Sequence, residues 1–197
     1  MYLNLCTIIN FIMKELEKLK REGRTHIYLA DDNFGANAKK HIDLFKMMIS
    51  EKVDIKFFAQ IRADTVANNP EMIGWAARAG MYGVLVGFDT YDPNVFNRIT
   101  KTTSVELNNR AAYILRKNKI AIFGTHIYGL PDQKSPTEFE VTFRSGRKNS
   151  DLFRMPHFTP LPFTVDYERF VRKDPQYNSM CINDKIKRDF RPRIGDD

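Results

Sequence analysis

Tyr82-Gly-Val-Leu-Val-Gly-Phe88, followed at once by Asp89-Thr90, decides the fold of this chain. The run is apolar almost without a break, and its valines stand among glycine, leucine and aromatic residues with no charge between them. A strand with one wet face would alternate, so this one is covered on both faces, as in a parallel sheet. Four further runs have the same character: His26–Ala30, Asp54–Gln60, Lys119–Tyr128 and Asp151–Phe158. They begin about 28 to 37 residues apart, the length of one strand-helix unit.

The intervening segments carry helix signals. Asn69-Pro70 sets a cap residue before a proline at the first helical position, and Gly80 follows the stripe Met72, Ile73, Trp75, Ala76, Ala79. Thr103-x-x-Glu106 and Ser135-x-x-Glu138 fit the capping box, and Gly23 closes a first helix over Ile9–Glu22. The element order is α-β-α-β-α-β-α-β-α-β, which a (β/α) barrel or an open doubly wound sheet would satisfy. A complete eight-stranded barrel takes roughly 250 residues; the chain has 197. About five βα units are therefore expected, in one core over residues 1–170 with a basic extension over 171–197.

In both parallel architectures the binding site forms at the carboxyl ends of the strands. Those ends read Asp31-Asp32-Asn33, then Gln60, Arg62 and Asp64, then Asp89-Thr90, then His126 and Tyr128, then His157 with Thr159-Pro160. Each has a plain structural reading as well: Asp and Asn cap helices or make Asx turns, Arg62 and Asp64 can form an ion pair, and a histidine inside an apolar run is commonly an interior one. Five strand ends delivering polar groups to one rim favour a binding mouth.

Other classes fit less well. No glycine-rich phosphate loop follows a strand, and neither GxSxG nor HExxH occurs. The net charge of +7 reflects basic residues spread through the helices, apart from Lys185, Lys187, Arg188, Arg191 and Arg193, so nucleic acid is not the expected partner. Cys6 and Cys181 are too far apart in sequence to suggest a disulfide framework or a CxxC metal site. The apolar start, Met1–Met13, is shorter than the roughly 18 residues of a membrane span and lacks a preceding basic segment. A cytoplasmic chain without a membrane partner is expected.

In order, the strand-end phrases resemble the radical S-adenosylmethionine enzymes, particularly the group that carries a cobalamin-binding domain in front. The phrases are Tyr28-Leu-Ala-Asp-Asp-Asn-Phe34, Gln60-Ile-Arg-Ala-Asp64, Ala79-Gly with Val84-Leu-Val-Gly-Phe-Asp89, Lys101, Ile122-Phe-Gly-Thr-His-Ile-Tyr-Gly-Leu-Pro131, and Thr159-Pro-Leu-Pro-Phe-Thr164. The resemblance implies an α/β fold, a partial TIM-like (β/α)6 barrel of parallel strands.

It also implies roles. Asp31, Asp32 and Asn33 would receive the methionine amino group of S-adenosylmethionine. Gln60, Arg62 and Asp64 would face the cofactor, with Arg62 near its carboxylate. Asp89 and Thr90 would stand near the ribose. Gly124, Thr159 and Pro160 would pack around the adenosine, with Phe163 where the family usually has glycine. The family binds a [4Fe–4S] cluster through CxxxCxxC, which is absent here, so no metal ligand is assigned. The resemblance thus suggests a fragment lacking the first βα unit, from an enzyme whose full-length form can also hold cobalamin and acts on a substrate the sequence does not identify. The alternative is a non-catalytic module that keeps the pocket while a separate chain supplies the cluster.

Overall fold

A computed structural model describes residues 5–98, 103–130, 136–161 and 163–171. The described chain divides into two compact units, Met1–His157 and Phe158–Asp197. In the first, helices α1 (Leu5–Arg21), α2 (Ala38–Ser50), α3 (Ala63–Asn68), α4 (Pro70–Ala79), α5 (Pro93–Arg98), α6 (Val105–Lys117) and α7 (Pro136–Asn149) alternate with strands. The strands are β1 (His26–Leu29), β2 (Lys56–Arg62), β3 (Met81–Asp89), β4 (Ala121–His126) and β5 (Leu152–Arg154). The second unit has a π-helical turn over Tyr167–Val171.

All five strands are parallel, and their spatial order is their chain order. That order separates the two architectures. A doubly wound sheet reverses direction at a switch point, whereas right-handed crossovers that always step the same way keep every helix on one face. The sheet is thus an arc of a barrel, and the barrel is incomplete among the described residues.

Period-two alternation then sorts the side chains. Phe57, Ala59 and Ile61 of β2, Val84, Val86 and Phe88 of β3, and Ile122 of β4 enter a core with Phe45, Met48, Met72, Ile73, Ala111 and Leu115. Phe45 stacks on Phe57 with centroids 5.9 Å apart. Each such burial stabilises the fold by about 1.5–3 kcal/mol. The alternate residues of β2 to β4 face the inside of the arc.

The local signals worked with some displacement. Pro70 opens α4 and Gly80 ends it in the left-handed conformation, but the Asn69 side chain donates to the Thr65 carbonyl (2.8 Å) instead of capping the helix. The cap of α6 is Ser104, accepting from Leu107 N at 3.2 Å, not Thr103, because the hydroxyl must sit three residues before its donor. Ser135 lies outside the described residues. The six-residue helices α3 and α5 were not expected. Phe163 adopts φ +69, a conformation that glycine takes more readily.

Several helices end in the same pair of backbone bonds. After α1 they are Arg24 N to Leu19 O and Gly23 N to Lys20 O, after α6 Ile120 N to Leu115 O and Lys119 N to Arg116 O, and after α2 Val53 N to Met48 O and Lys52 N to Ile49 O. The residue at the turn needs positive φ; it is Gly23 after α1 but Lys52 (φ 52) after α2. A side chain there costs about 1 kcal/mol. Lys52→Gly is expected to stabilise the chain by about that amount, read as a rise of a few degrees in thermal midpoint.

Candidate functional site

The turn after β1 is sewn to the end of β2. Asp31 Oδ1 accepts from Asn33 N (2.9 Å), which closes an Asx turn, and Phe34 N donates to the Gln60 carbonyl (2.9 Å). Asn33 Oδ1 accepts from Arg62 N (3.1 Å) and from the Thr65 hydroxyl (3.3 Å). Gln60 Nε2 reaches the Asp32 carbonyl at 3.4 Å. Asp31 and Asn33 therefore hold the loop, and Asp32 is left at its lip.

Beside this turn lies a cavity of about 310 Å3, lined by Asp32, Gln60, Arg62, Asp64, Asp89 and Thr125 together with Leu85, Gly87 and Thr103. Arg62 grips Asp64 with two parallel bonds, Nε to Oδ1 at 3.0 Å and Nη2 to Oδ2 at 2.8 Å. Asp64, and to a smaller degree Asp89, raise the guanidinium's pKa, so it stays charged. The pair is open to water, with side-chain exposures of 55% and 21%, and contributes little to stability. Its effect is to fix the direction of the fork.

Asp89 ends β3 with φ +59, a conformation that favours glycine, and its carbonyl accepts from Ile127 N at 2.7 Å. An acid held in that region is a reason to look for function. Two residues earlier on the same face, a Cβ on Gly87 would meet nothing nearer than Thr125 Oγ1 at 3.9 Å, so the missing side chain is room left in the cavity. Among the described residues, three carboxylates (Asp32, Asp64, Asp89) against one guanidinium (Arg62) give the lining a formal charge of −2 within a chain of net +7. The site suits a cationic ligand.

Of the expected site residues, Asp32, Gln60, Arg62, Asp64 and Asp89 line this cavity. Thr90 does not: it is fully buried, shares a 2.8 Å hydrogen bond with Thr142, and its carbonyl accepts from Asn108 Nδ2 at 3.0 Å. Gly124 does not either, because strand alternation turns it toward Ser150, whose Oγ lies 2.0 Å from where a Cβ would stand. Thr159 and Pro160 belong to the second unit. Thr125, Gly87, Leu85 and Thr103 were not singled out. The signal for three of them was present, since Leu85 and Gly87 lie four and two residues before Asp89, and Thr125 pairs with Gly87 across the ladder.

His126, next to Thr125, faces the other way. It is fully buried against Phe88, Tyr91 and Phe153, with ring centroids 4.8 to 5.8 Å away. Burial pushes its pKa down to about 4. In the unfolded chain it returns to about 6.5, so between these values the unfolded state binds more protons. Stability is complete above pH 6.5 and declines as pH falls toward 4. Thermal midpoints measured across that window should drop with pH, and His126→Leu should flatten this part of the profile.

No protein-family profile matches the chain. It is 24% identical over 155 residues to the anaerobic magnesium-protoporphyrin IX monomethyl ester cyclase of Rubrivivax gelatinosus, covering 78% of this chain and 28% of the relative. It is 30% identical over 143 residues to the bacteriochlorophyllide d C-12(1)-methyltransferase of Chlorobaculum tepidum, covering 70% and 30%. The chain spans about a quarter to a third of the curated relatives it matches.

Among solved structures it is similar to the radical S-adenosylmethionine methyltransferase TsrM from Kitasatospora setae, with cobalamin and a [4Fe-4S] cluster bound. The TM-score is 0.69 at 15% identity, covering 78% of this chain and 29% of that one. It is also similar to the cobalamin-dependent radical enzyme OxsB with S-adenosylmethionine bound, with a TM-score of 0.63 at 21% identity, covering 72% and 22%. The incomplete parallel barrel is the fold these neighbours share, so the chain is similar in fold to radical S-adenosylmethionine enzymes that bind cobalamin, and similar in sequence to the anaerobic cyclases and methyltransferases.

Proposed function

We propose that the 310 Å3 cavity binds S-adenosylmethionine and that the chain is the cofactor-binding part of a radical S-adenosylmethionine enzyme core. The observation that carries this reading is the acidic cavity at the carboxyl ends of β2 to β4. S-adenosylmethionine brings a sulfonium and an ammonium, and the lining brings Asp32, Asp64 and Asp89 to balance them. Arg62, already aimed by Asp64, presents its guanidinium to the cofactor carboxylate. Gly87 leaves the space that a bulky ligand needs beside Thr125.

The iron–sulfur cluster is a different matter. Two cysteines stand in the whole sequence, and among the described residues no group of three or more His, Cys, Asp or Glu side chains could hold a metal. These residues do not fit a cluster, whose thiolates would have to come from outside them. The radical chemistry of the whole protein rests on family resemblance, which names no substrate.

Isothermal titration of the 197-residue chain with S-adenosylmethionine and with S-adenosylhomocysteine, which lacks the sulfonium charge, tests the reading. Saturable 1:1 binding of the first and weaker binding of the second is expected. No heat with either, or a preference for the uncharged thioether, would overturn it.

A further inference from the structure

Parallel alternation sends every helix back to the amino-terminal ends of the strands. The last turns of α4 and α6 therefore arrive side by side just before β3 and β4. Between them runs a groove of about 580 Å3 lined by Trp75 and Arg78 of α4, Lys117 of α6, and Asn118 and Lys119 beyond it, with Glu71 at one side. Trp75 is fixed there: its Nε1 donates to Glu71 Oε1 at 3.3 Å, Arg78 lies 4.2 Å from the ring centroid, and Lys46 lies 5.0 Å from it.

Two cations at helix ends have an ordinary purpose, since they complement the helix dipole. Lys119 does not fit that account. It follows the cap and takes φ +57, where glycine would be unstrained. Among the described residues, four cations (Lys46, Arg78, Lys117, Lys119) surround the groove against the one lining carboxylate, Glu71, with a tryptophan ring between them.

We propose that this groove docks an acidic segment of a partner protein, whose carboxylates meet Arg78, Lys117 and Lys119 beside Trp75 while its apolar side chains rest on the lysine stems. Charge complementarity names the sign of the partner, and the ring decides between the two polyanions that share it. A single-stranded nucleic acid binds largely by stacking bases on aromatic rings, but Lys46 and Arg78 already hold Trp75 through cation–π contacts. A stacking base would have to displace one of them. A peptide carboxylate would not.

Trp75 is the single tryptophan of the chain, so its emission reports on the groove directly. A fluorescein-labelled peptide of alternating glutamate and leucine and an equally labelled oligo-dT would be titrated by anisotropy at low salt, and the unlabelled forms by Trp75 emission. Expected are saturable peptide binding, a shift in Trp75 emission, and about tenfold weaker binding by K117E/K119E, with a smaller loss in the exposed-site variant K117Q/K119Q. Three results would overturn the proposal. They are peptide binding that neither variant weakens, binding that leaves Trp75 emission unchanged, and tighter binding of the oligonucleotide than of the peptide. Absence of peptide binding would count equally against it.

Discussion

Asp89→Asn is expected to lower the affinity for S-adenosylmethionine by at least about tenfold while leaving the thermal midpoint nearly unchanged. The substitution is chosen for its backbone. Asp89 sits at φ +59, and asparagine is among the few non-glycine residues that adopt the left-handed region readily. Shape and conformation are retained, and only the charge is removed. If the cavity is acidic in order to receive a cation, its −2 lining falls to −1, and a charge-assisted contact worth about 1.5–3 kcal/mol becomes a neutral one. Titration calorimetry beside a melting curve reads both quantities. Unchanged affinity would make Asp89 a turn residue and move the cation site to Asp32 or Asp64.

Gly80→Ala should cost about 3 kcal/mol and lower the thermal midpoint by roughly 10 °C. Two effects add at this position. The residue has φ +112, and a Cβ there would stand 2.4 Å from the Ile55 carbonyl oxygen, which belongs to backbone and cannot swing aside. Gly80 also accepts from Phe57 N at 3.1 Å, so a shift that relieves the clash would strain the start of β2. Gly23→Ala is the control. Its φ is +77 with nothing within 4 Å of a Cβ, so it should lose only the conformational part, about 1 kcal/mol. Equal losses in the two variants, measured by urea denaturation, would show that the contact with Ile55 carries no energy.

The strands were legible because burial on both faces writes continuous apolar runs, and Tyr82–Phe88 appears in β3 with one more residue at each end. The expected strand Asp54–Gln60 lies two residues later, at Lys56–Arg62, and the expected Lys119–Tyr128 is shorter by two residues at each end, since lysine and aspartate at a strand start carry little hydrophobic signal. The rim at Asp32, Gln60, Arg62, Asp64 and Asp89 was readable from strand ends. Which neighbours join it was harder. Thr90 and Gly124 sit one position out of phase with the cavity, and a one-residue change in a strand exchanges its faces. Phase is set by register, and register depends on the partner strand.

The stitching of the first turn to β2 through Asn33 and Phe34 bears on how the molecule would respond to its ligand. A mouth made of independent loops pays an ordering entropy each time it fills. Here that entropy is spent during folding, because the same bonds that close the turn continue the sheet. Recognition and cohesion thus belong to one cooperative unit. Loosening the barrel far from the cavity blunts the mouth, and a filled mouth in turn raises the resistance of the whole arc to unfolding by mass action.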